Sequence, residues 1–338
     1  MTLYALRRIA LLIPTLLAIS VSVFLMVQLV PGDPAQVMLG ERATPESLAV
    51  LREELGLDQP VHVQLGRYLG GLLVGDLGRS IRSHTAVSEE LANRFPATFE
   101  LTLVSMVFAC FVGVVVGVLS AVRRGSAVDA VGMTTSLAGV SMPIFWLGLV
   151  MITTFAVDLG MFPVSGRVSA YTYVTSVTGL MLVDSLLAGD IAAFLDALHH
   201  LILPGITLGT VPAAVIVRMT RASVLEVIQE DYVRTAWAKG LSEKVVIVRH
   251  AFRNASIPVI TVVSLQFGYL LGGAVITETI FAWPGVGRWL LLGVHSRDFP
   301  VIQGGVLVVA ATFVVINLLA DLLYAWLDPR ISYQEGGR

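Results

Sequence analysis

At 338 residues, with 56% hydrophobic and only 14% charged side chains, the chain is far more apolar than a soluble globular domain and reads as an integral membrane protein. The formal charge of -2 says little as a total, because orientation in a membrane depends on how Lys and Arg divide between the two sides. The two lysines, Lys239 and Lys244, are not followed by Ser or Thr, which excludes a GxxxxGK[ST] phosphate loop, and the lone Cys110 excludes an intrachain disulfide.

Residues 9–30 carry no formal charge and as a helix would reach about 33 Å, enough to cross a bilayer. Arg7 and Arg8 precede them, so the amino terminus is expected inside. A signal peptide is the competing reading; the long apolar run and the lack of an Ala-x-Ala pattern favour an uncleaved first span. The Pro-Gly-Asp-Pro run at 31–34 then breaks the helix and opens a polar outer segment, 31–100, with six Arg against ten Asp or Glu. A segment of this length escapes the positive-inside rule. Within it, 44–56 reads as an amphipathic helix capped by Thr44 and ended by Gly56, with a second helix expected over 61–74.

The second span is expected over 101–122, where Gly113 and Gly117 stand at i and i+4 and allow a close helix crossing. Arg123 and Arg124 mark its inner exit. The third, 130–157, is interrupted at Pro143, which removes a backbone donor and kinks a helix; lining of a pathway and a purely structural kink both remain open. A second outer loop follows over 158–200 with one Arg and four Asp. His199 and His200 lie side by side and so face different ways on a helix, and on the sequence reading no carboxylate or Cys stands at ligand spacing, so no metal site is expected.

A fourth span, 201–217, contains Pro204 and Pro212 and is expected to continue as helix into a strongly polar stretch, 218–258. This stretch carries seven Lys or Arg against four Asp or Glu, which places it in the cytoplasm. Inside it, Asp231-Tyr-Val-Arg-Thr-Ala-Trp-Ala-Lys-Gly240 predicts a short helix with Asp231 as cap, Lys239 near its negative end and Gly240 as the stop. Val233, Ala236 and Trp237 share one apolar face, suited to docking in another protein's groove. The fifth span, 257–283, has Gly268 and Gly272 at close-crossing spacing. Near its outer end stands Glu278, with two readings: contact with a substrate amine, or pairing with Arg288. The sixth, 301–327, contains Gln303, Asn317 and Asp321; polar groups inside a span face the bundle or a water-filled cavity.

The 231–240 stretch resembles the coupling loop of ABC-type importer permeases, whose motif is Glu-Ala-Ala, three residues, then Gly. Aligned on Gly240, the motif's first positions are Arg234, Thr235 and Ala236, so the leading Glu is absent. With Arg249-His-Ala-Phe-Arg-Asn-Ala255, Thr277-Glu-Thr-Ile-Phe-Ala-Trp-Pro-Gly-Val-Gly-Arg-Trp289, Gly75-Asp-Leu-Gly78 and Pro163-Val-Ser-Gly-Arg167, nearly the whole chain is similar to the B-type membrane subunit of dipeptide and oligopeptide importers. The resemblance implies an all-α fold of six transmembrane helices, the type I, MetI-like importer-permease fold, with a long helical first periplasmic loop. It also implies this organisation: 1–30 amino terminus and first span, 31–100 periplasmic loop, 101–327 permease core with the cytoplasmic coupling loop at 218–256, and 328–338 cytoplasmic tail.

Function follows as expectation. The resemblance implies docking of an ATPase subunit on Asp231, Val233, Arg234, Thr235, Ala236, Trp237, Lys239 and Gly240. Implied partners are a second homologous permease, two ATPase subunits and a periplasmic or lipid-anchored peptide-binding protein, in the bacterial inner membrane with both termini cytoplasmic. ATP and Mg belong to the partner subunits; the chain itself is expected to hold no cofactor, no metal and no nucleic acid, and to catalyse nothing. Pro143, Glu278 and Arg288 are candidates for pathway or outer gate. An ion-coupled secondary transporter would be expected to carry mid-membrane charges or related halves, and neither is present. A channel or scaffold stays open. An intramembrane hydrolase lacks HExxH and GxSxG signatures. Dipeptides, longer peptides, glutathione, nickel chelates and haem remain alternative cargoes.

Overall fold

A computed structural model describes residues 2–29, 34–39 and 43–327. The expected turn at 31–33 and the tail at 328–338, with Arg330 and Arg338, lie outside the described residues, as do the side chains of Arg7, Arg8 and Asp321. Among the described residues the regular secondary structure is helical apart from one isolated bridge between Arg79 and Ala86, with irregular connections at 74–86 and 159–180. The elements in order are α1 (Thr2–Leu29), α2 (Pro34–Leu39), α3 (Pro45–Leu55), α4 (Val61–Leu73), α5 (Val87–Val122), α6 (Ala127–Ser141), α7 (Ile144–Met151) with a π-helical extension (Ile152–Asp158), and α8 (Met181–Leu187). There follow α9 (Ile191–Ile228), α10 (Asp231–Ala238), α11 (Glu243–Val245), a second π-helical turn (Val246–Ala251), α12 (Phe252–Ile280), α13 (Val286–Ser296) and α14 (Phe299–Leu327).

Among the described residues five helices are long and apolar enough to cross a membrane, and a sixth span forms if α6 is taken together with α7 and its π-helical extension across their bend of 107°. That bend has a local cause. Pro143 has no N–H to continue the ladder, and the residue before a proline is driven out of the helical region. Met142 accordingly sits extended at φ -81°, ψ 129°. By contrast α9 runs unbroken for 38 residues through both Pro204 and Pro212. The helix therefore begins about ten residues earlier than expected, and it continues into the polar stretch as far as Ile228, as the sequence predicts.

The core lies where α5, α9 and α12 meet. Leu101, Met106 and Ala109 pack against Leu201, Leu208 and Ile216, with Val259, Leu270, Ala274 and Trp283 closing the cluster. Glycines set the separation of α5 from α9. A Cβ on Gly113 would come within 2.5 Å of Ile216 Cγ2, and one on Gly117 within 2.8 Å of the Val217 carbonyl oxygen, so both sites admit only hydrogen. Gly209 answers from α9, where a Cβ would meet the Ser105 oxygen at 2.6 Å. Gly268 of α12 lies similarly against Phe313 of α14. Gly272 does not fit this expectation: among the described residues no atom stands within 4 Å of where its Cβ would be, and the residue is exposed.

The first outer segment is tied down at several points. Thr44 caps α3, its hydroxyl accepting from Ser47 N–H, and Gly56 ends the helix in the left-handed region at φ 67°. Helix α4 leans on α1 through the Phe24 and Tyr68 rings, with centroids 5.6 Å apart, and Gln28 donates to Gln64 at 3.0 Å. Asp298 accepts from Val301 N–H in the first turn of α14, and also from Ser80 Oγ at 2.5 Å and Arg82 N–H at 3.2 Å. One buried carboxylate thus starts the sixth span and fastens the loop at 80–82 to it.

Candidate functional site

At the inner end, α10 stands on a short turn after α9. Glu230, not Asp231, is its cap, without a side-chain bond to the helix, and Asp231 occupies the first helical position. Gly240 follows the end of the helix at φ 76°, the left-handed conformation that favours glycine, and its N–H donates to the Trp237 carbonyl at 2.9 Å.

The expected apolar docking face is split. Val233 and Ala236 are 0% and 5% exposed, packed within the chain against Val246 and Val227. Trp237 is 42% exposed. Residues 236 and 237 flank Val233 on its two sides, about 100° apart, and Val246 from the π-helical turn with Val227 covers the 236 side only. The surface left open consists of Asp231, Tyr232, Arg234, Thr235, Trp237 and Lys239. Arg234 reaches back to Asp231 at 3.4 Å. Tyr232 accepts from Asn254 Nδ2 at 2.7 Å, which anchors its ring to the start of α12.

At the other end, Glu278 is fully buried, but its partner is not the Arg288 guanidinium. Thr98 Oγ1 donates to Glu278 Oε1 at 2.6 Å, and the Arg288 backbone N–H donates to Oε2 at 2.8 Å. The guanidinium instead donates to the Ala282 carbonyl at 2.8 Å. Glu278 and Thr98 together satisfy amides in the first turn of α13, which otherwise have no intrahelical acceptor. A carboxylate enclosed this way is not open to a substrate amine.

Beside this cluster, Arg167 of the second outer loop forms a two-pronged ion pair with Glu100 of α5 and donates to the Gly179 carbonyl at 2.7 Å. Glu100 also accepts from Leu182 N–H at 2.7 Å, and Arg167 stands 6.0 Å from the Trp283 ring centroid. Two open clefts of about 410 and 300 Å³ flank Arg167, both touching Asn93. The loop is held elsewhere by two carboxylates. Asp184 accepts from the backbone of Val177, Thr178 and Gly179 and from the Thr178 hydroxyl, while Asp196 accepts from Ser169 and Thr172. Burial alone would raise the Asp184 carboxyl; the four donors hold it below its ordinary value.

His200 does have a carboxylate at ligand spacing, which corrects the sequence reading: Asp196, four residues earlier, lies 3.3 Å from Nδ1. His199 contacts the Met161 carbonyl at 2.7 Å on another side. Among the described residues no three His, Cys, Asp or Glu converge on a metal position.

Sequence reasoning passed over Thr98, Glu100, Val246 and the Asp129–Arg221 ion pair described below. Thr98, Glu100 and the ion pair join distant stretches of chain, and Val246 meets α10 only after an intervening turn; the one local signal is a charge standing at the end of an apolar run.

Residues 1–102 match the family model described as "Binding-prot-dependent transport system membrane comp, N-term", and residues 113–333 match "Binding-protein-dependent transport system inner membrane component". The chain is 51% identical over 336 residues to the dipeptide transport system permease protein DppB of Escherichia coli strain K12, covering 98% of this chain and 99% of the relative. It is 44% identical over 331 residues to the glutathione transport system permease protein GsiC of Salmonella paratyphi A, covering 98% and 99%. A solved structure of the MetNI methionine ABC transporter in inward-facing form aligns with a TM-score of 0.51 at 17% identity, over 69% of this chain and 93% of that one. That last likeness speaks to fold alone.

Proposed function

The chain belongs to the family of binding-protein-dependent transport system inner membrane components, and from that membership we propose that it is the permease subunit through which an ATP-driven importer passes dipeptides and short peptides. It is a multi-pass inner membrane protein and not an enzyme. The observation that supports the cargo is the 51% identity to a dipeptide permease sustained over 98% of the chain, against 44% to a glutathione permease.

In this reading, a second homologous permease completes the pathway, two ATPase subunits carrying ATP and Mg lie below, and a periplasmic or lipid-anchored binding protein delivers peptide from above. The open face of α10, with Tyr232, Arg234, Thr235 and Trp237, is the part that meets an ATPase subunit. Closure of those subunits around nucleotide presses α10, and α9 carries the displacement across the membrane. Both termini lie in the cytoplasm, which the surplus of seven Lys or Arg over four acids at 218–258 supports.

The deciding measurement is uptake of labelled dipeptides in a strain lacking this chain, with and without its return on a plasmid. Restored uptake, competed by unlabelled dipeptide and not by glutathione, is expected. Restoration competed only by glutathione would transfer the assignment to the second cargo.

A further inference from the structure

An ion pair joins two helices that the chain's coupling role does not by itself require to be joined. Arg221 of α9 donates through Nε to Asp129 Oδ1 at 2.6 Å and through its terminal nitrogen to Oδ2 at 2.8 Å, across 92 residues of sequence. Two parallel bonds of this kind fix angle as well as distance. The carboxylate is also tied to its own turn, accepting from Gly125 N–H at 3.0 Å. Its side chain is 8% exposed and that of Arg221 25%, so parting them would strand a charge at the inner edge of the bundle, where uncompensated charge is costly.

The pair is the lowest of three attachments along one helix. Above it, a Cβ on Gly132 would come 2.5 Å from Ser120 Oγ of α5, and one on Gly139 3.0 Å from Thr210 of α9. Helix α6 is therefore pinned to the α5–α9 unit along its length. The close approaches of α6 end at Met142–Pro143. Beyond that break Gly148 of α7 meets Thr207 of α9 and Ile280 of α12 alike at an ordinary 3.4 Å, and Leu203 of α9 clusters with Ala156 and Phe281, so the outer half of the span is shared between α9 and α12. From Arg221, α9 continues only to Ile228 before α10 begins, and Val224 between them is buried against Ala121 and Ala255.

We propose that Arg221 and Asp129 are positioning residues that yoke the inner half of the third span permanently to α9, so that thrust on α10 moves α5, α6 and α9 as one block. The proposal rests on the reading of α10 as the segment pressed by an ATPase subunit. It makes the pair a fixed joint, not a latch that opens during the cycle.

The test uses the full complex, with second permease, ATPase subunits and binding protein, in proteoliposomes. Unaltered complex without ATP-driven dipeptide uptake would refute the functional reading itself, separately from the joint. Given uptake, D129N and R221Q are each expected to lower peptide transported per ATP hydrolysed by about twofold to thirtyfold, the span for a residue on a coupling route. The exchange D129R with R221D is expected to recover part of the loss. Wild-type ratios in both single variants would overturn the proposal. A second arm replaces both residues by cysteine in a C110A background and bridges them with a bismaleimide, which restores the joint without charge. Retained uptake in the bridged complex is expected, and it decides the matter if the single variants do not assemble. Hydrolysis without uptake in the bridged form would show that the two helices must separate, and would sink the idea.

Discussion

Thr98 and Glu278, 180 residues apart in sequence, close the same helix end together. The threonine hydroxyl donates to the carboxylate at 2.6 Å and accepts from Val286 N–H at 2.8 Å, while the carboxylate takes Arg288 N–H. With Trp283 Nε1 donating to the Ala97 carbonyl at 2.8 Å, this fastens α5, α12 and α13 at the outer surface.

Glu278→Ala removes an acceptor from two buried donors, each costing about 1–3 kcal/mol when left unpaired. A clear fall in the detergent melting temperature of the assembled complex is expected, with a smaller fall for Glu278→Gln, which keeps one acceptor. The apparent KM for peptide in the Gln variant should match wild type. A raised KM at unchanged melting temperature would instead make Glu278 a cargo contact.

The two sides of α10 should respond differently. Val233→Ala removes buried methyl groups at roughly 1–2 kcal/mol, by the transfer and cavity terms together, and should lower the stability of the permease alone. Tyr232→Ala and Trp237→Ala leave the apolar seat of the helix intact. Their expected effect is reduced co-purification of the ATPase subunits at near-normal permease yield. Equal retention of ATPase in Trp237→Ala and wild type would count against the open face as the docking surface.

Gly117→Ala and Gly272→Ala place the same methyl group in opposite settings. At 117 it meets the Val217 oxygen and the Thr220 side chain at less than 3 Å, an overpacking that costs about 1–3 kcal/mol. At 272 it meets nothing within the chain. Thermal unfolding of the isolated permease should therefore separate the two variants, with Gly272→Ala at wild-type stability or slightly above, since alanine is the better helix former. Comparable losses at both positions would place an unseen contact over Gly272.

Acid should loosen the loop at 177–179 before the bundle. Because the Asp184 carboxyl is held below its ordinary value, its contribution to stability is fully present above about pH 4, the unfolded-chain range, and is lost as pH falls through the lower folded value. Amide exchange at Val177, Thr178 and Gly179, corrected for intrinsic rate, should rise on acidification in wild type. In Asp184→Asn the same amides should exchange faster at neutral pH and respond little to acid. A parallel acid response in both proteins would remove Asp184 as the cause.

Much of this architecture was legible from local pattern. Apolar runs of membrane length marked the spans, Pro143 marked the break, and Gly113 and Gly117 marked the crossing of α5 with α9, because each signal lies within one helix. The orientation of α10 was not legible. Which side of it is covered depends on Val246, which returns over it only after the chain has turned through α11. Glu278 was misread for a similar reason. Arg288 is near in sequence and carries the complementary charge, but the geometry of a helix start offers amides where the guanidinium cannot reach, and Thr98 comes from a distant span. Arg221 enters the sequence reading only as one of the seven basic residues of 218–258, and Asp129, just ahead of the third span, does not enter it at all.

The continuity of α9 gives the molecule a single lever arm. At 38 residues it is roughly 57 Å long, with Asp196 gripping the outer loop near one tip and α10 hung from the other. A tilt too slight to disturb the packing at its waist would sweep both tips through several ångströms in opposite directions. On the function proposed above, a push at the inner tip would reach Ser169 and Thr172, which Asp196 holds, through the helix itself.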